Sequence, residues 1–405
     1  MSTESITDNR PPAPGNRLPV ATFILFLCQA VNLTAAVISV TIAALVGAKI
    51  APDRTWATVP YGIQFAVVAV LTYPAAALMR RFGRKKGFLL GALLLITAGC
   101  IGYDALVRSS FVELIVAHSF LGAYVAFANY YRFAAVDNLS AELRPRGISL
   151  VVAGGMVAAV TGPLVSIGLQ DVGGYAPYSI CYAFFIVLGV ITIGLLSLWE
   201  PTAATQAKLP AVWPIGANFS APVLLAMFAS ASAYLIMNLL MVQASLVMES
   251  MCVPFKASTL AIQGHVLAMF APSFITGAVI SRIGFRNVLL AGFAMIAAAA
   301  LLGIWNLGFA AMVGALLLLG SGWNFSYVGG GALLAKHLTD ENRHRLQGIN
   351  DSVIAICATF GAFAPAFLQV AIGWQNTNML CLLICLIGCG ASWITLRGGQ
   401  VAKAQ

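Results

Sequence analysis

Acidic chemistry is nearly missing from this chain. Thirteen Asp and Glu are spread over 405 residues, and charged residues of both signs make up only 9% of it. A soluble domain of this length needs a charged surface, so composition excludes one. The 60% hydrophobic content and mean hydropathy of +0.91 point instead to a chain that crosses a bilayer many times. No carboxylate lies in the middle of an apolar run: Asp104, Glu113 and Asp137 fall at segment ends, and Asp351 opens a segment. A carboxylate proton relay is therefore not readable. The eight cysteines form no Cys-x-x-Cys pair and seven sit inside apolar runs, which excludes a disulfide framework and a zinc ribbon. Residues 1–17 are polar and lack the apolar core of a signal peptide. No nucleophile–base pair and no metal set with an open position is visible, so the residues give no enzyme and no prosthetic group.

What is present is a series of twelve apolar segments, at 18–48, 58–79, 87–107, 111–135, 148–170, 177–199, 219–247, 257–280, 287–307, 308–335, 350–372 and 378–396. Several are long enough to span with tilt. The weakest division falls at 307–309. The stretch 200–217 is the longest polar interior piece and reads as a linker. The expected plan is an all-α polytopic membrane protein: a tail at 1–17, a six-helix bundle at 18–200, a linker at 201–217, a second six-helix bundle at 218–396 and a tail at 397–405.

The net charge of +9 would suggest nucleic acid in a soluble protein, but here it reports topology. With the N-terminus in the cytoplasm, 17 of the 22 Lys and Arg fall in cytoplasmic tails and loops. Lys49, Arg54, Arg108 and Lys256 fall outside, and Arg132 is left at the inner end of the fourth segment. The partner is the lipid bilayer, with no nucleic acid, both termini cytoplasmic and a monomer expected.

The halves read as copies. "RRFGRKK" at 80–86 aligns with "SRIGFRN" at 281–287, an offset of 201 residues. "SAELRPRGIS" from Ser140 likewise pairs with "TDENRHRLQGIN" from Thr339. Two parallel six-helix repeats are the signature of a transporter that rocks around a central site. The loop after the second segment resembles the hallmark Gly-x-x-x-Asp-Arg-x-Gly-Arg-Lys of the major facilitator superfamily. Arg81, Gly83, Arg84 and Lys85 match it, while Ala76 and Arg80 depart from its Gly and Asp. The second copy keeps Gly277, Arg282, Gly284 and Arg286 but has Ser281 for the Asp. The resemblance implies the facilitator fold. Asp351, at the start of segment eleven, is the expected partner of the Arg80–Lys86 cluster in a gate, with helix capping as the plainer role.

The soft donors are unevenly placed. Met237 and Met241 are four apart in segment seven, as are His265 and Met269 in segment eight, so each pair shares a helix face. At ~1.5 Å per residue, Met241 lies ~9 Å and Met237 ~15 Å from one end, with His265 ~12 Å and Met269 ~18 Å from the neighbouring end. Three thioethers and an imidazole form a neutral set suited to Cu(I). The competing reading is packing, because Met is an ordinary gap-filler. Met248 and Cys252, with Met251 beside them, are placed at the outer mouth as a metal-capture ladder. Cys381, Cys385 and Cys389 read as helix-packing residues. Gln64 aligns with His265 at the 201-residue offset and is expected on the cavity wall with Trp323 and Asn324.

Together, these pairs and the words "HVLAMFAPSF" at 265, "GWNFSYVGG" at 322 and "QGIND" at 347 resemble the CcoA-like copper importers that serve assembly of cbb-type cytochrome c oxidase. The resemblance implies copper as transported substrate, imported across a bacterial inner membrane, and names no cytoplasmic acceptor. A sister branch of riboflavin transporters implies aromatic and amide contacts instead, for which Tyr130, Tyr131, Trp323, Asn324 and Tyr327 are available. A non-transporting copper chaperone or sensor is the alternative of another class.

Overall fold

The computed structural model describes residues 18–137, 139, 143–200, 219–306, 308–339 and 343–397. The linker and both expected tails, apart from Arg397, lie outside the described residues. The described chain is helical throughout, with helices α1 (Val20–Ile50), α2 (Val59–Phe82), α3 (Arg84–Val107), α4 (Phe111–Ala128), α5 (Tyr131–Ala134), α6 (Arg144–Val152), α7 (Gly154–Leu169) and α8 (Ser179–Ser197) in the first half. The second half holds α9 (Ala221–Ser250), α10 (Phe255–Phe270), α11 (Ser273–Trp305), α12 (Phe309–Lys336), α13 (Arg343–Ala371) and α14 (Gly373–Thr395).

Among the described residues eleven helical spans are long and apolar enough to cross a membrane. The difference from the twelve expected lies in segment eight. Its helix stops at Phe270, and Pro272 starts the next one. A proline inside a helix removes a donor and clashes with the carbonyl four residues back, so the span breaks there and neither piece counts alone. Segment nine is nevertheless separate, because α11 is interrupted at Gly284, which takes φ 79°. Gly83 takes φ 94° at the matching turn between α2 and α3. An L side chain is strained in that region, so the repeated motif keeps glycine in both copies for a backbone reason.

Each half buries its own core. Tyr124, Tyr131, Tyr182, Phe88 and Phe185 fill the first, and Phe293, Leu289, Ile296 and Met248 are fully buried in the second. The halves meet along α2 with α13, α7 with α10, and α1 with α9. α9 is buried on nearly every side, and Val40, Ala43, Ala44 and Tyr61 of the first half join the core of the second. At the end carrying the short 3-10 turn Arg54–Trp56, the halves are sealed. Thr58 Oγ1 donates to the Phe363 carbonyl at 2.7 Å and accepts from the Ala366 amide at 3.3 Å. Gly62 lies flush against the Phe363 ring, and Tyr178 packs edge-on to Phe255 with centroids 5.3 Å apart.

The basic loop is anchored inside its own half. Arg84 pairs with Asp137 at 2.9 Å, and Lys85 Nζ donates to the carbonyls of Ser197 (3.2 Å) and Trp199 (2.7 Å), closing the end of α8. Arg80 and Arg81 are exposed, as is Arg282. Half-burial pushes the Asp137 carboxyl up, with Arg84 and then Arg144 pulling it back. A raised folded value favours the protonated form, so that contribution to stability is present below the ordinary value of 3.8 and is lost as pH climbs through the raised one. Arg84→Gln, which strands a half-buried carboxylate, should therefore lower the apparent Tm more than Asp137→Asn. The gap should widen as pH rises from about 4 to about 7. Equal shifts at both pH values would contradict this reading.

Candidate functional site

Between the halves lies a group of aromatic rings. Trp323 and Tyr327 are four apart on α12 and stack with centroids 4.9 Å apart and planes 17° from parallel. Tyr234 of α9 stands edge-on to both, at 5.2 and 5.0 Å. From the first half, Tyr61 packs on Phe65 at 5.1 Å and joins the same buried cluster. Offset and edge-on contacts suit the ring quadrupoles, and a hydrogen bond between Tyr234 and Tyr327 adds to them. Trp323 Nε1 is buried with no partner, leaving one donor unclaimed. Arg132, on α5, lies within electrostatic reach of Tyr234, Tyr327 and Asp351.

The sequence flagged Trp323 and Tyr327 but missed Tyr234 and Tyr61. The available signal was a single aromatic in the small-residue run "ASASAYLIM" of α9. Asn324 is not free for a ligand. Its Nδ2 donates to the Met269 carbonyl at 2.7 Å and to Ser273 Oγ at 2.5 Å, and its Oδ1 accepts from Thr276 Oγ1 at 2.7 Å. It thereby ties α12 across the break between α10 and α11. Gln64 is also engaged within its half. Ser39 Oγ donates to Gln64 Oε1 at 2.7 Å, and His118 Nδ1 lies 3.1 Å from the same oxygen. An amide oxygen only accepts, so His118 carries its proton on Nδ1 and accepts at Nε2 from Tyr182, 2.9 Å away. The network joins α1, α2, α4 and α8.

The soft donors are all buried. Met237 and Met241 on α9 and Met269 on α10 belong to one apolar cluster, with exposures of 4, 4 and 8%. His265 is fully buried, and its Nδ1 donates to the Leu316 carbonyl at 2.7 Å, so the Nε2 lone pair is unprotonated and unpartnered. The expectation that α9 and α10 face each other needs correction. α10 packs mainly on α12 and α7 and only lightly on α9, and its His265 turns toward α12. The capture ladder is also corrected. Met248 is fully buried in the core, while Cys252 is exposed at φ 56° and Met251 is partly exposed, so no continuous sulfur path leads inward. Cys381 and Cys385 face the core, as packing predicts. Asp351 does not meet the Arg80–Lys86 cluster. It accepts from Asn350 Nδ2 at 3.2 Å, and the cation nearest in effect is Arg132, because Arg84 and Lys85 are already engaged elsewhere. Arg286, in the second copy of the loop, stacks on Trp393.

The sequence profile of the Major Facilitator Superfamily matches residues 22–261 and 226–403, both halves in turn. The chain belongs to the Major Facilitator Superfamily. It is thus a multi-pass membrane transporter, and the family's members are transporters, not enzymes. This facilitator is 32% identical over 368 residues to the riboflavin transporter RfnT of Brucella anthropi, covering 88% of this chain and 91% of that one. It is 28% identical over 348 residues to the uncharacterized MFS-type transporter YddS of Bacillus subtilis, covering 78% of each. The fold is that of a bacterial homologue of the human lysosomal transporter Spinster in an inward-facing, occupied conformation (TM-score 0.68, 12% identity, 93% of this chain and 96% of that one). The human organic anion transporter MFSD10 is also similar (TM-score 0.63, 15% identity, 94% and 100%). For this facilitator the copper-importer resemblance and the link to cytochrome c oxidase assembly gain no support from these relatives. The riboflavin branch does.

Proposed function

We propose that this facilitator carries riboflavin, or a planar aromatic molecule like it, across the bacterial inner membrane by alternating access, with both termini in the cytoplasm. The observation that carries the reading is the Trp323–Tyr327–Tyr234 group between the halves, a surface on which a flat heteroaromatic ring can stack. The 32% identity to a riboflavin transporter supports the same cargo class. The seal at Thr58 and Phe363 corresponds to a state closed toward the outside. Import of riboflavin into proteoliposomes reconstituted with the purified protein tests the proposal. Saturable uptake, competed by unlabelled riboflavin, is expected; its absence under every imposed ion gradient would sink it.

A second reading, copper, rests on one specific observation. His265 presents a buried, unprotonated and unpartnered Nε2 in the same half whose apolar core holds Met237, Met241 and Met269. A carbonyl accepting from the other ring nitrogen is how metal-binding imidazoles are oriented. A His265→Ala/Met241→Ala double variant separates the two cargoes. On the riboflavin reading its riboflavin flux per folded carrier stays close to that of the parent, although the buried truncations lower the yield of folded protein. On the copper reading it loses copper accumulation altogether at unchanged protein level. A copper chaperone that binds without moving the ion would hold copper yet give no vesicle uptake.

A further inference from the structure

At the end of the second half that carries the repeated basic loop, two guanidiniums crowd one indole and a third cation sits on a neighbouring ring. The Arg286 guanidinium, just after the Gly284 turn, lies 3.6 Å from the centroid of Trp393 on α14. The Arg397 guanidinium lies 5.4 Å from the same ring, and Lys336, the last residue of α12, sits 5.5 Å from the ring of Phe285. Among the described residues, no carboxylate pairs with any of the three. Arg286 Nε is buried and has no acceptor. Two guanidiniums over one ring repel each other, more strongly beside hydrocarbon than in water, and a stranded Nε–H adds a desolvation cost. The arrangement calls for an anion.

The surroundings say which kind. Trp393 is 45% exposed, on a helix face shared with Leu383, Leu386 and Ile394, which are 53, 56 and 71% exposed. That face is long, apolar and turned outward from the bundle, so in a membrane it meets acyl chains. Trp belongs at the headgroup level, and clusters of Arg and Lys at helix ends there bind phosphate headgroups. We infer that Arg286, Arg397 and Trp393, with Lys336 beside them, form a binding site for the phosphate of an anionic phospholipid whose chains lie along the outer face of α14. The same loop in the first half is built differently, with Arg84 and Lys85 consumed by Asp137 and two carbonyls, so the lipid takes in the second half a place that protein groups take in the first.

Native mass spectrometry of the delipidated protein in detergent tests this. The titrants are phosphatidylglycerol, phosphatidylcholine and, separately, inorganic phosphate as competitor. Phosphatidylglycerol should bind at least about tenfold more tightly than phosphatidylcholine, and Arg286→Gln and Arg397→Gln should each weaken it about fivefold. Arg108→Gln, at the opposite end of the bundle, should change nothing. Arg397 is exposed beyond the last helix, so its variant keeps the test valid if Arg286→Gln folds poorly. Equal binding of the two lipids overturns the inference, as do unchanged affinities in both variants. Displacement of phosphatidylglycerol by equimolar phosphate would assign the site to a free anion and overturn it as well.

Discussion

Gly122→Val should leave little folded protein to purify. Gly122 sits on α4 where that helix touches the backbone of α2, and a Cβ there would fall onto the Gln64 carbonyl. Elsewhere a helix relieves such a clash by sliding. Here Gln64 is held by Ser39 of α1 and His118 of α4, so moving α2 breaks contacts to two other helices, and His118 is itself fixed by Tyr182 of α8. Overpacking costs about 1–3 kcal/mol. Leaving a buried donor or acceptor unpaired adds about 1–3 kcal/mol for each group. Against a native stability of about 5–15 kcal/mol, the sum removes much of the margin. Thermal unfolding in detergent, followed by size exclusion, reads the result. Gly168→Ala is the control: it is also a helical glycine, with open space where its Cβ would point. That change should be neutral or slightly stabilising, by up to about 1 kcal/mol. A Gly122→Val protein that unfolds within a degree or two of the parent would show that the two helices are free to part.

The second large effect is on transport. Trp323→Leu keeps an apolar side chain of moderate volume and removes the ring that stacks on Tyr327. Stacking of a heteroaromatic base on an aromatic side chain is worth about 1–3 kcal/mol, so the KM for riboflavin should rise about ten- to a hundredfold. The amount of folded carrier should change far less, which is why Leu is preferred to Ala in a core that penalises cavities. Trp323→Phe, which keeps a ring, should recover most of the loss. If KM holds steady in Trp323→Leu and in Tyr327→Leu alike, the cargo does not lie on these rings.

The bundle was legible because lipid imposes a strict rule: each crossing needs a long apolar helix whose backbone bonds are satisfied internally. Gly83 and Gly284 could be paired from sequence because a turn of positive φ leaves little choice of residue. What could not be read is how each helix is rotated and which others it meets. α9 and α10 are neighbours in sequence, yet His265 addresses Leu316 on α12, fifty-one residues away. Met248 follows the apolar segment 219–247, which places it at a mouth by sequence, but its helix continues to Ser250 and its side chain is buried in the core. Charge alone pairs Asp351 with the Arg80–Lys86 cluster, whereas the fold brings Asp137 to Arg84. Trp323 was visible as a ring, but Tyr234 needed the packing of α9 on α12 to bring it alongside.

The seal at the 3-10 end has a consequence for timing. At that end, among the described residues, both hydrogen bonds that join the halves use one hydroxyl, that of Thr58. A neutral hydrogen bond is worth about 0.5–1.5 kcal/mol net. A clasp of that strength biases the resting population by a decade or two at most, and the rest of the closure is apolar surface that lipid and water compete for. On the proposed alternating-access cycle, an empty carrier held so lightly is expected to turn over without cargo, and that idle swing returns the site to the side where the next molecule waits.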